Sequence, residues 1–315
     1  MLASDAVRLA LMIEGQEGVT WEDWLALADA CEEHGVDALF RSDHYVSGFD
    51  ESRAVVDAWA TICGLAARTT RLQLGTLVSP VTFRHPSLLA RNAATADEIS
   101  GGRIVLGMGA GWMEREHEAY GFEFPPVRER ISRFAEQLEI VHGLLREGSV
   151  DFAGTHYRLK NAPGLGRPEL PILVGGSAKL GTTGPAVRLA DEYNCVFGTF
   201  DDARERKLRL DQACERGGRD PATLRYSLMA PIVVGRNDRE VQQSAQRIGE
   251  RFGRDPKSVL DRYANSGPVG TVEQVIEKLK EIEGLGFERV MLQHLAHRDL
   301  GTVALIGREL QPAVA

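Results

Sequence analysis

The sequence predicts an α/β protein, and within that class a closed (β/α)8 TIM barrel with insertions. Strand-like apolar runs alternate with helix-like runs through almost all of the 315 residues, and about eight such units are present. Repeated strand–helix units favour a parallel sheet with right-handed crossovers. Eight units in a chain of this length fit a closed barrel better than the alternative, an open doubly wound sheet.

The first half of the chain carries four of these units. Val7–Ile13 is a continuous apolar run, as expected for a strand that is covered on both faces. Thr20 is a suitable N-cap for a helix over Trp21–His34, and Gly35 a suitable residue to end it. The other strands predicted here are Ala38–Arg41, Leu72–Val78 and Ile104–Met108, and the helices are Asp57–Ala67, Pro86–Ile99 and about Arg128–Arg146.

The second half resumes the alternation after an insertion at about 148–168, in which VDFAGTHYRL resembles a hairpin. The predicted strands are Ile172–Val174, Cys195–Phe197, Tyr226–Val234 and Arg289–Leu292. The predicted helices are Pro185–Asp191, Ala203–Glu215, Asp238–Phe252, Pro256–Tyr263, Val272–Glu283 and one near Leu300–Leu310. We therefore expect a single domain over 1–315, with the insertion at about 148–168 and a helical excursion at about 238–268.

Composition and charge argue against several classes of partner. The net charge of -8 disfavours nucleic acid and anionic membranes, because both reward a basic surface. No apolar run reaches the ~18 residues that a membrane-spanning helix needs, and the N-terminal segment lacks the pattern of a signal peptide. The four cysteines are scattered and show no CxxC pair, which indicates free thiols in a reducing cytoplasm.

Polar and small residues follow each predicted strand. In a parallel barrel the carboxyl ends of the strands form the active-site face, so these residues are expected to meet in a small-molecule pocket. They are Glu14-Gly15-Gln16, Ser42-Asp43-His44-Tyr45, Val78-Ser79-Pro80, Gly109-Ala110-Gly111-Trp112, Gly175-Gly176-Ser177, Gly198-Thr199, Met229–Pro231 and Gln293-His294.

Among these residues, Asp43 and His44 are the strongest candidates for acid–base chemistry. A histidine at a strand end can exchange a proton near neutral pH, and a neighbouring carboxylate can orient a ligand. The alternative is that Asp43 caps a helix while His44 is a hydrogen-bonded structural residue. Glu14 is a second candidate acid or base, although a glutamate at a strand end often only pairs with an arginine.

Two glycine-rich segments are candidate ligand-binding loops. Trp112 stands where the dinucleotide-binding fingerprint requires a third glycine, so Gly107–Trp112 predicts close approach of a flat ligand or a tight turn. Gly175-Gly176-Ser177, followed by Gly181–Pro185 and a helix, predicts a phosphate site at a helix N-terminus, with a capped helix as the alternative. His294 and His297 have the spacing of a metal pair but lack a third ligand, so no metal site is predicted.

Three stretches of the sequence resemble one protein family. VDALFRSDHY, LGTLVSPVTFRHPSLLARNAATADEISGGRIVLGMGAGWMEREHEAYG and LPILVGG are similar to the luciferase-like monooxygenase superfamily, and most similar to its branch of oxidoreductases that use the deazaflavin coenzyme F420. The resemblance extends from about Val7 to Leu310. It implies a luciferase-like (β/α)8 barrel whose mouth binds a flavin-like ring and its phosphate-bearing tail.

The resemblance also implies roles for individual residues. Asp43 and His44 approach the ring, His44 is a candidate proton donor, and Glu14 occupies a position where some relatives have an active-site carboxylate. A cis peptide at Leu77-Val78 bulges toward the ring. The remaining implied coenzyme contacts are Ser79, Gly109, Ala110, Gly111, Trp112, Gly175, Gly176, Ser177 and Thr183. The segment after Gly176 is longer than is usual in the family, which affects the assignment of Thr183.

The function that this resemblance implies is hydride transfer between reduced F420 and a small organic substrate, in a cytoplasmic homodimer. An FMN-dependent monooxygenase that uses molecular oxygen is the alternative, because the same fold and phosphate loop serve both cofactors. A non-catalytic flavin-binding protein is a further alternative. The segments expected to select the substrate, 48–53, 148–168 and 253–268, match no recognisable pattern.

Overall fold

The fold is a closed parallel β-barrel surrounded by helices, as the sequence predicts. The computed structural model describes residues 7–178, 180–196 and 198–315. Eight strands pair in chain order, and the last pairs with the first, with Arg8 opposite Arg289. They are β1 (Arg8–Ile13), β2 (Ala38–Arg41), β3 (Gln73–Thr76), β4 (Ile104–Gly109), β5 (Ile172–Gly176), β6 (Glu192–Cys195), β7 (Arg225–Pro231) and β8 (Arg289–Gln293).

Helices follow the strands and cover the outside of the barrel. They are α1 (Trp21–His34), α2 (Ala58–Arg68), α3 (Pro86–Ser100), α4 (Glu114–Tyr120), α5 (Val127–Arg146), α6 (Leu180–Leu189), α7 (Phe200–Arg216), α8 (Asp238–Phe252), α9 (Pro256–Tyr263), α10 (Val272–Gly284), α11 (Leu300–Leu305) and α12 (Gln311–Val314). A π-helical turn, Ile306–Leu310, joins the last two. None of the helices in the described ranges is both long and apolar enough to cross a membrane.

Several helix ends follow from local sequence. The Thr20 hydroxyl accepts a hydrogen bond from the Asp23 N–H, the Asp23 carboxylate accepts one from the Thr20 N–H, and Gly35 adopts a φ of 83° at the C-terminal end. This confirms the predicted bounds of α1. Asp57 is the N-cap of α2 and not its first residue, because its carboxylate accepts a hydrogen bond from the Ala60 N–H.

Several predicted elements differ from the structure, and the strand predicted at Leu72–Val78 is shortened to Gln73–Thr76. The strand predicted at Cys195–Phe197 is wrong: β6 ends at Cys195, and its polar residues Glu192 and Asn194 are fully buried. Phe197 lies outside the described residues. The strand predicted at Tyr226–Val234 divides into β7 and a short outer strand, Val233–Gly235, which pairs with Val269–Thr271. The helix predicted at Pro185–Asp191 is α6, which begins at Leu180.

The early start of α6 has a packing explanation. Helix propensity is poor in Gly-Thr-Thr-Gly-Pro, which is why the sequence predicts a loop there. A Cβ at Gly181 would lie 2.5 Å from the Cδ1 of Ile131, so the absence of a side chain allows α6 to approach α5 closely. Ala186 and Val187 are buried further along the same helix. Tertiary packing therefore outweighs the local preference.

The insertion and the excursion lie outside the barrel. Ser149–Ala153 and Arg158–Pro163 pair in an antiparallel hairpin, as predicted. Helices α8 and α9 form a small apolar cluster with the outer strand and with the segment after β8, including Val233, Ile248, Val259 and Ala296. The barrel interior is filled by alternate strand residues, among them Ala10, Met12, Phe40, Val105, Leu173 and Met291.

Candidate functional site

A cavity of about 650 Å³ opens at the carboxyl ends of the strands. All eight strands or the segments directly after them contribute to its lining. One lining residue from each strand or its following segment is Glu14 after β1, His44 after β2, Val78 after β3, Gly109 of β4, Gly175 of β5, Asn194 of β6, Met229 of β7 and Gln293 of β8. The volume lies within the range of small-molecule sites, about 300–1,000 Å³. A large pocket therefore lies where the sequence predicts it.

Most of the predicted site residues line this cavity. Those on its surface are Glu14, His44, Leu77, Val78, Gly109, Ala110, Gly111, Trp112, Gly175, Gly176 and Ser177. Asp43, Ser79 and Thr183 are 1%, 1% and 4% exposed and lie behind the lining. The structure thus brings segments from five strand ends together, with three of the predicted residues in supporting positions.

His44 is held by a carboxylate that sequence reasoning missed. Glu116, on α4, is 1% exposed, and its Oε1 lies 2.9 Å from the Nδ1 of His44. Its other oxygen accepts a hydrogen bond of 3.0 Å from the Tyr45 N–H. Trp112 packs edge-on against the His44 ring, with centroids 5.6 Å apart. Nothing in the sequence distinguishes Glu116 from the exposed Glu114 and Glu118 on the same helix, because only its burial marks it.

The protonation of His44 depends on this contact. Burial disfavours the imidazolium, but the hydrogen bond and the charge of Glu116, with smaller effects of Glu14 and Asp43, raise the pKa of His44 above its usual 6.5. The pair therefore contributes stability that is fully present below pH 6.5 and is lost as the pH rises through the raised pKa. His44 is accordingly suited to donate a proton near neutral pH.

Replacing Glu116 with glutamine is expected to lower the pKa of His44, because the amide keeps the shape but removes the charge. An NMR titration of the His44 imidazole measures this directly, and the alkaline limit of activity should move to lower pH with it. Glu118→Gln is the matched control, since Glu118 is exposed on the same helix. An unchanged titration midpoint in the Glu116 variant would contradict the assigned role.

Glu14 lies among hydrogen-bond donors at the end of β1. Its Oε2 accepts a hydrogen bond of 2.9 Å from the Gln16 Nε2, and its Oε1 accepts one of 2.5 Å from the Gln293 Nε2. Gln16 in turn accepts a hydrogen bond from Ser42, whose hydroxyl also accepts one of 2.8 Å from the Gly15 N–H. The arginine pairing that was the alternative for Glu14 is not among its interactions in the described part of the chain. Its carboxylate is therefore fixed at the cavity surface by amides.

Asp43 is part of a buried ion pair behind the cavity. Its Oδ2 accepts hydrogen bonds of 2.6 Å from the Nη1 of Arg84 and 2.7 Å from the Ser79 hydroxyl. Trp59 donates to the Ser79 oxygen at 3.0 Å. These contacts join the segments that carry His44 and Val78, so Asp43 and Ser79 support the lining from behind. Their predicted contact with a coenzyme ring stays a prediction.

The peptide bond between Leu77 and Val78 is cis, as the family resemblance implies. The Val78 side chain lies between two glycines of neighbouring strands. A Cβ at Gly109 would lie 2.5 Å from one Val78 methyl, and a Cβ at Gly175 would lie 2.8 Å from the other. These glycines are therefore explained by the room that Val78 needs, whereas Gly111, with a φ of 78°, is explained by a turn.

The opposite part of the lining contains the start of a helix. Gly176 and Ser177 line the cavity together with Gly181 and Thr182 from the first turn of α6. Thr182 Oγ1 lies 3.0 Å from the hydroxyl of Tyr193, which also accepts a hydrogen bond of 3.1 Å from the Ala178 N–H. The predicted loop at Gly181–Pro185 is thus the helix itself, and Thr182, not Thr183, faces the cavity. A helix N-terminus carries about half a positive charge and favours an anion.

The two histidines after β8 have structural contacts. His294 Nε2 lies 3.1 Å from the carbonyl oxygen of Asp299, and His297 Nε2 lies 3.2 Å from the Asp23 carboxylate. Burial lowers the pKa of each to about 4, so both are neutral at pH 7. Within residues 7–178, 180–196 and 198–315, no three His, Cys, Asp or Glu side chains are grouped in a way that would hold a metal ion.

Comparison with known proteins identifies relatives over nearly the whole chain. The family described as luciferase-like monooxygenase matches residues 7–289. An F420-dependent glucose-6-phosphate dehydrogenase from Mycolicibacterium gilvum (strain PYR-GCK) is 33% identical over 314 residues, which cover 91% of this chain and 92% of the relative.

Solved structures show the same fold. An F420-dependent secondary alcohol dehydrogenase, in complex with an F420-acetone adduct, has a TM-score of 0.83 at 20% identity and covers 98% of this chain and 99% of that one. The monooxygenase RslO1 from Streptomyces bottropensis has a TM-score of 0.81 at 24% identity and covers 98% and 100%. At these identities the structural likeness concerns the fold alone.

Proposed function

The chain belongs to the luciferase-like monooxygenase family and is an F420-dependent oxidoreductase, and we propose that it transfers a hydride between this coenzyme and a small organic substrate, with His44 as the proton donor or acceptor. The observation that carries the role of His44 is its position. It lies on the surface of the cavity and has a buried carboxylate 2.9 Å from its Nδ1. A histidine with one nitrogen fixed in this way has the other available to a substrate oxygen.

The residues present fit the coenzyme. When bound, F420 supplies the carbon that donates or accepts the hydride, and the protein supplies orientation and electrostatics. Leu77 and Val78 would lie against the ring, with Gly109, Ala110, Gly111 and Trp112 along one edge. The first turn of α6, with Gly175, Gly176 and Ser177, would bind the phosphate. Asp43 and Ser79 would contribute to coenzyme binding indirectly, by supporting the segments that line the cavity. Thr183 would contribute as part of helix α6.

Each of the two candidate acid–base residues would have a distinct task. The imidazolium of His44 would give a proton to the substrate oxygen as the hydride arrives, or the neutral ring would take one in the reverse direction. Glu14, fixed by Gln16 and Gln293, would orient the substrate or replace His44 in that exchange. The apolar residues around them would exclude water from the reacting atoms.

A titration with two cofactors tests the assignment. We expect F420 to bind in the micromolar range and FMN to bind at least tenfold more weakly, a difference of about 1.4 kcal/mol. Fluorescence or calorimetric titration of the purified chain measures both. A preference for FMN would contradict the proposal and favour the oxygen-dependent monooxygenase. Binding of F420 without turnover of any substrate would favour a non-catalytic binding protein.

We propose further that the chain forms a homodimer in the cytoplasm. Leu88 and Ile99 are 52% and 46% exposed on α3 and lie on one face of that helix, about three turns apart. Exposed apolar side chains on one helix face can contribute to association with a second copy. The four cysteines are unpaired, which suits a reducing compartment.

A further inference from the structure

The two ends of the cavity differ in chemistry. Eight strands close the barrel in chain order, so β1 and β5 lie on opposite sides of its mouth. The β5 side carries Gly176, Ser177 and the start of α6. The β1 side is bounded by the segment after β2, the end of α8, the end of α9 and the segment after β8. If the coenzyme's phosphate occupies the β5 side, the β1 side is left for the substrate.

An apolar wall, formed by Phe49, Phe252, Tyr263 and Leu295, bounds the β1 side. The rings of Phe49 and Phe252 are tilted against each other, with centroids 4.6 Å apart. Phe49 is nevertheless 59% exposed. The same four residues, with Ile248, Arg254 and Val259, line a second, small cavity of about 20 Å³. A large aromatic side chain left this accessible beside a pocket provides surface that an apolar ligand can bury.

The charges on this side do not suit a phosphate. Among the described residues that line the cavity, Arg262 is the single lysine or arginine. It is exposed, and its guanidinium lies 5.8 Å from the Tyr263 ring centroid. Attraction between such a water-exposed charge and an anion is weak.

The nearby cations, Arg53 and Arg251, are behind the lining and hydrogen-bonded to the protein. Arg53 donates to the buried Glu17 carboxylate at 2.5 Å and to the Arg251 carbonyl at 2.9 Å. Arg251 itself donates to the backbone carbonyl of Glu17. The Glu14 carboxylate, whose hydrogen bonds come from amides, adds a negative charge at the reacting end. A phosphate dianion placed here would meet a like charge and lose its water without adequate compensation.

We infer that the substrate is an uncharged, largely apolar molecule, with a ring or branched body that packs on the apolar wall and one carbonyl or hydroxyl group that reaches His44. This inference rests on the proposed F420-dependent function and names its substrate class. It sets this chain apart from the M. gilvum relative, whose name specifies a sugar phosphate.

Binding to the F420-loaded protein tests the substrate class. Acetone, cyclohexanone and acetophenone form a series of ketones with increasing apolar area, and glucose-6-phosphate is the charged comparison. Calorimetric titration should give an affinity that rises about tenfold or more from acetone to acetophenone, because the added carbon atoms bury apolar surface. It should also show acetophenone binding more tightly than glucose-6-phosphate. A flat series, or tighter binding of the sugar phosphate, would overturn the inference.

A single variant locates the binding surface. Phe49→Ala should weaken acetophenone binding about five- to tenfold while leaving acetone and F420 affinity unchanged, since it removes one aromatic contact from an exposed position. Leu208→Ala is the matched control, because Leu208 is 57% exposed on α7 and does not line the cavity. Equal acetophenone affinity in the Phe49 variant and the wild type would contradict the role of the apolar wall.

Titration with F420 distinguishes failure of the proposed function from failure of the substrate class. A chain that fails to bind F420 contradicts the proposed function itself. A chain that binds F420 and prefers glucose-6-phosphate contradicts only the substrate class, and the F420-dependent function then stands.

Discussion

Replacing His44 with alanine is expected to lower kcat by about 10²–10⁴-fold, while the affinity for F420 changes by less than about threefold. General acid–base catalysis by a positioned side chain contributes rate of this order. The loss of the imidazole leaves the Val78 segment, Trp112 and the start of α6 in place, so the coenzyme surface is preserved. Single-turnover oxidation of reduced F420, followed by absorbance, measures the chemical step, and fluorescence titration measures the affinity.

The control for this experiment is His156→Ala. His156 lies in the hairpin outside the barrel, with its Nε2 3.1 Å from the Ser132 hydroxyl. Its removal also deletes an imidazole but leaves the cavity unaltered, so rate and affinity should both remain at wild-type level. A His44 variant that loses rate and coenzyme affinity to the same extent would indicate that His44 only binds the coenzyme.

Replacing Asp43 with asparagine is expected to reduce the free energy of unfolding by about 3 kcal/mol, the order found when one partner of a buried ion pair is removed. Arg84 is 8% exposed, and its Nη1 lies 2.6 Å from the Asp43 carboxylate. The neutral amide leaves that charge with only the half-exposed Asp57, 2.9 Å from Nη2, to compensate it. Urea denaturation followed by circular dichroism measures the loss.

Asp201→Asn provides the comparison. Asp201 pairs with Arg204 at 2.9 Å, but the side chains are 88% and 63% exposed. Such a surface pair contributes about 0–1 kcal/mol, so its removal should leave the unfolding midpoint nearly unchanged. If both aspartate variants lose the same small amount, the buried network around Asp43 does not support the cavity as described. A large loss of F420 affinity in a fully folded Asp43 variant would instead indicate direct contact with the coenzyme.

The sequence predicts the barrel because its information is local and repeated. Continuous apolar runs such as Val7–Ile13 and helix caps such as Thr20 and Gly35 depend on a few neighbouring residues, and they agree with β1 and α1. Elements whose formation depends on distant contacts are harder to predict from the sequence. The strand over Glu192–Cys195 contains buried polar residues that look like a loop, and α6 contains glycine and proline that are tolerated only because the helix packs against α5.

In the candidate site, too, features set by local sequence are predicted and features set by distant contacts are not. Strand-end residues such as His44 and Gly175 are found from the sequence because a parallel barrel places all strand ends at one face. Glu116 is not found, because its importance arises from a contact across 72 positions of the chain. Phe49 and Tyr263 of the apolar wall lie in 48–53 and 253–268, two of the segments expected to select the substrate. The wall itself is not found from the sequence, since Phe49 and Phe252 are distant in the chain and meet only in the folded protein.

Each of the eight strands, or the segment directly after it, supplies part of the cavity surface. A molecule bound there touches segments that are far apart in the chain, so separating any two neighbouring strands would also break some of its contacts. Occupancy and barrel closure are therefore thermodynamically linked, and a saturating ligand protects the whole ring of strands against opening rather than one loop. The abundance of the coenzyme in the cell would thereby influence how long each copy of the chain survives proteolysis.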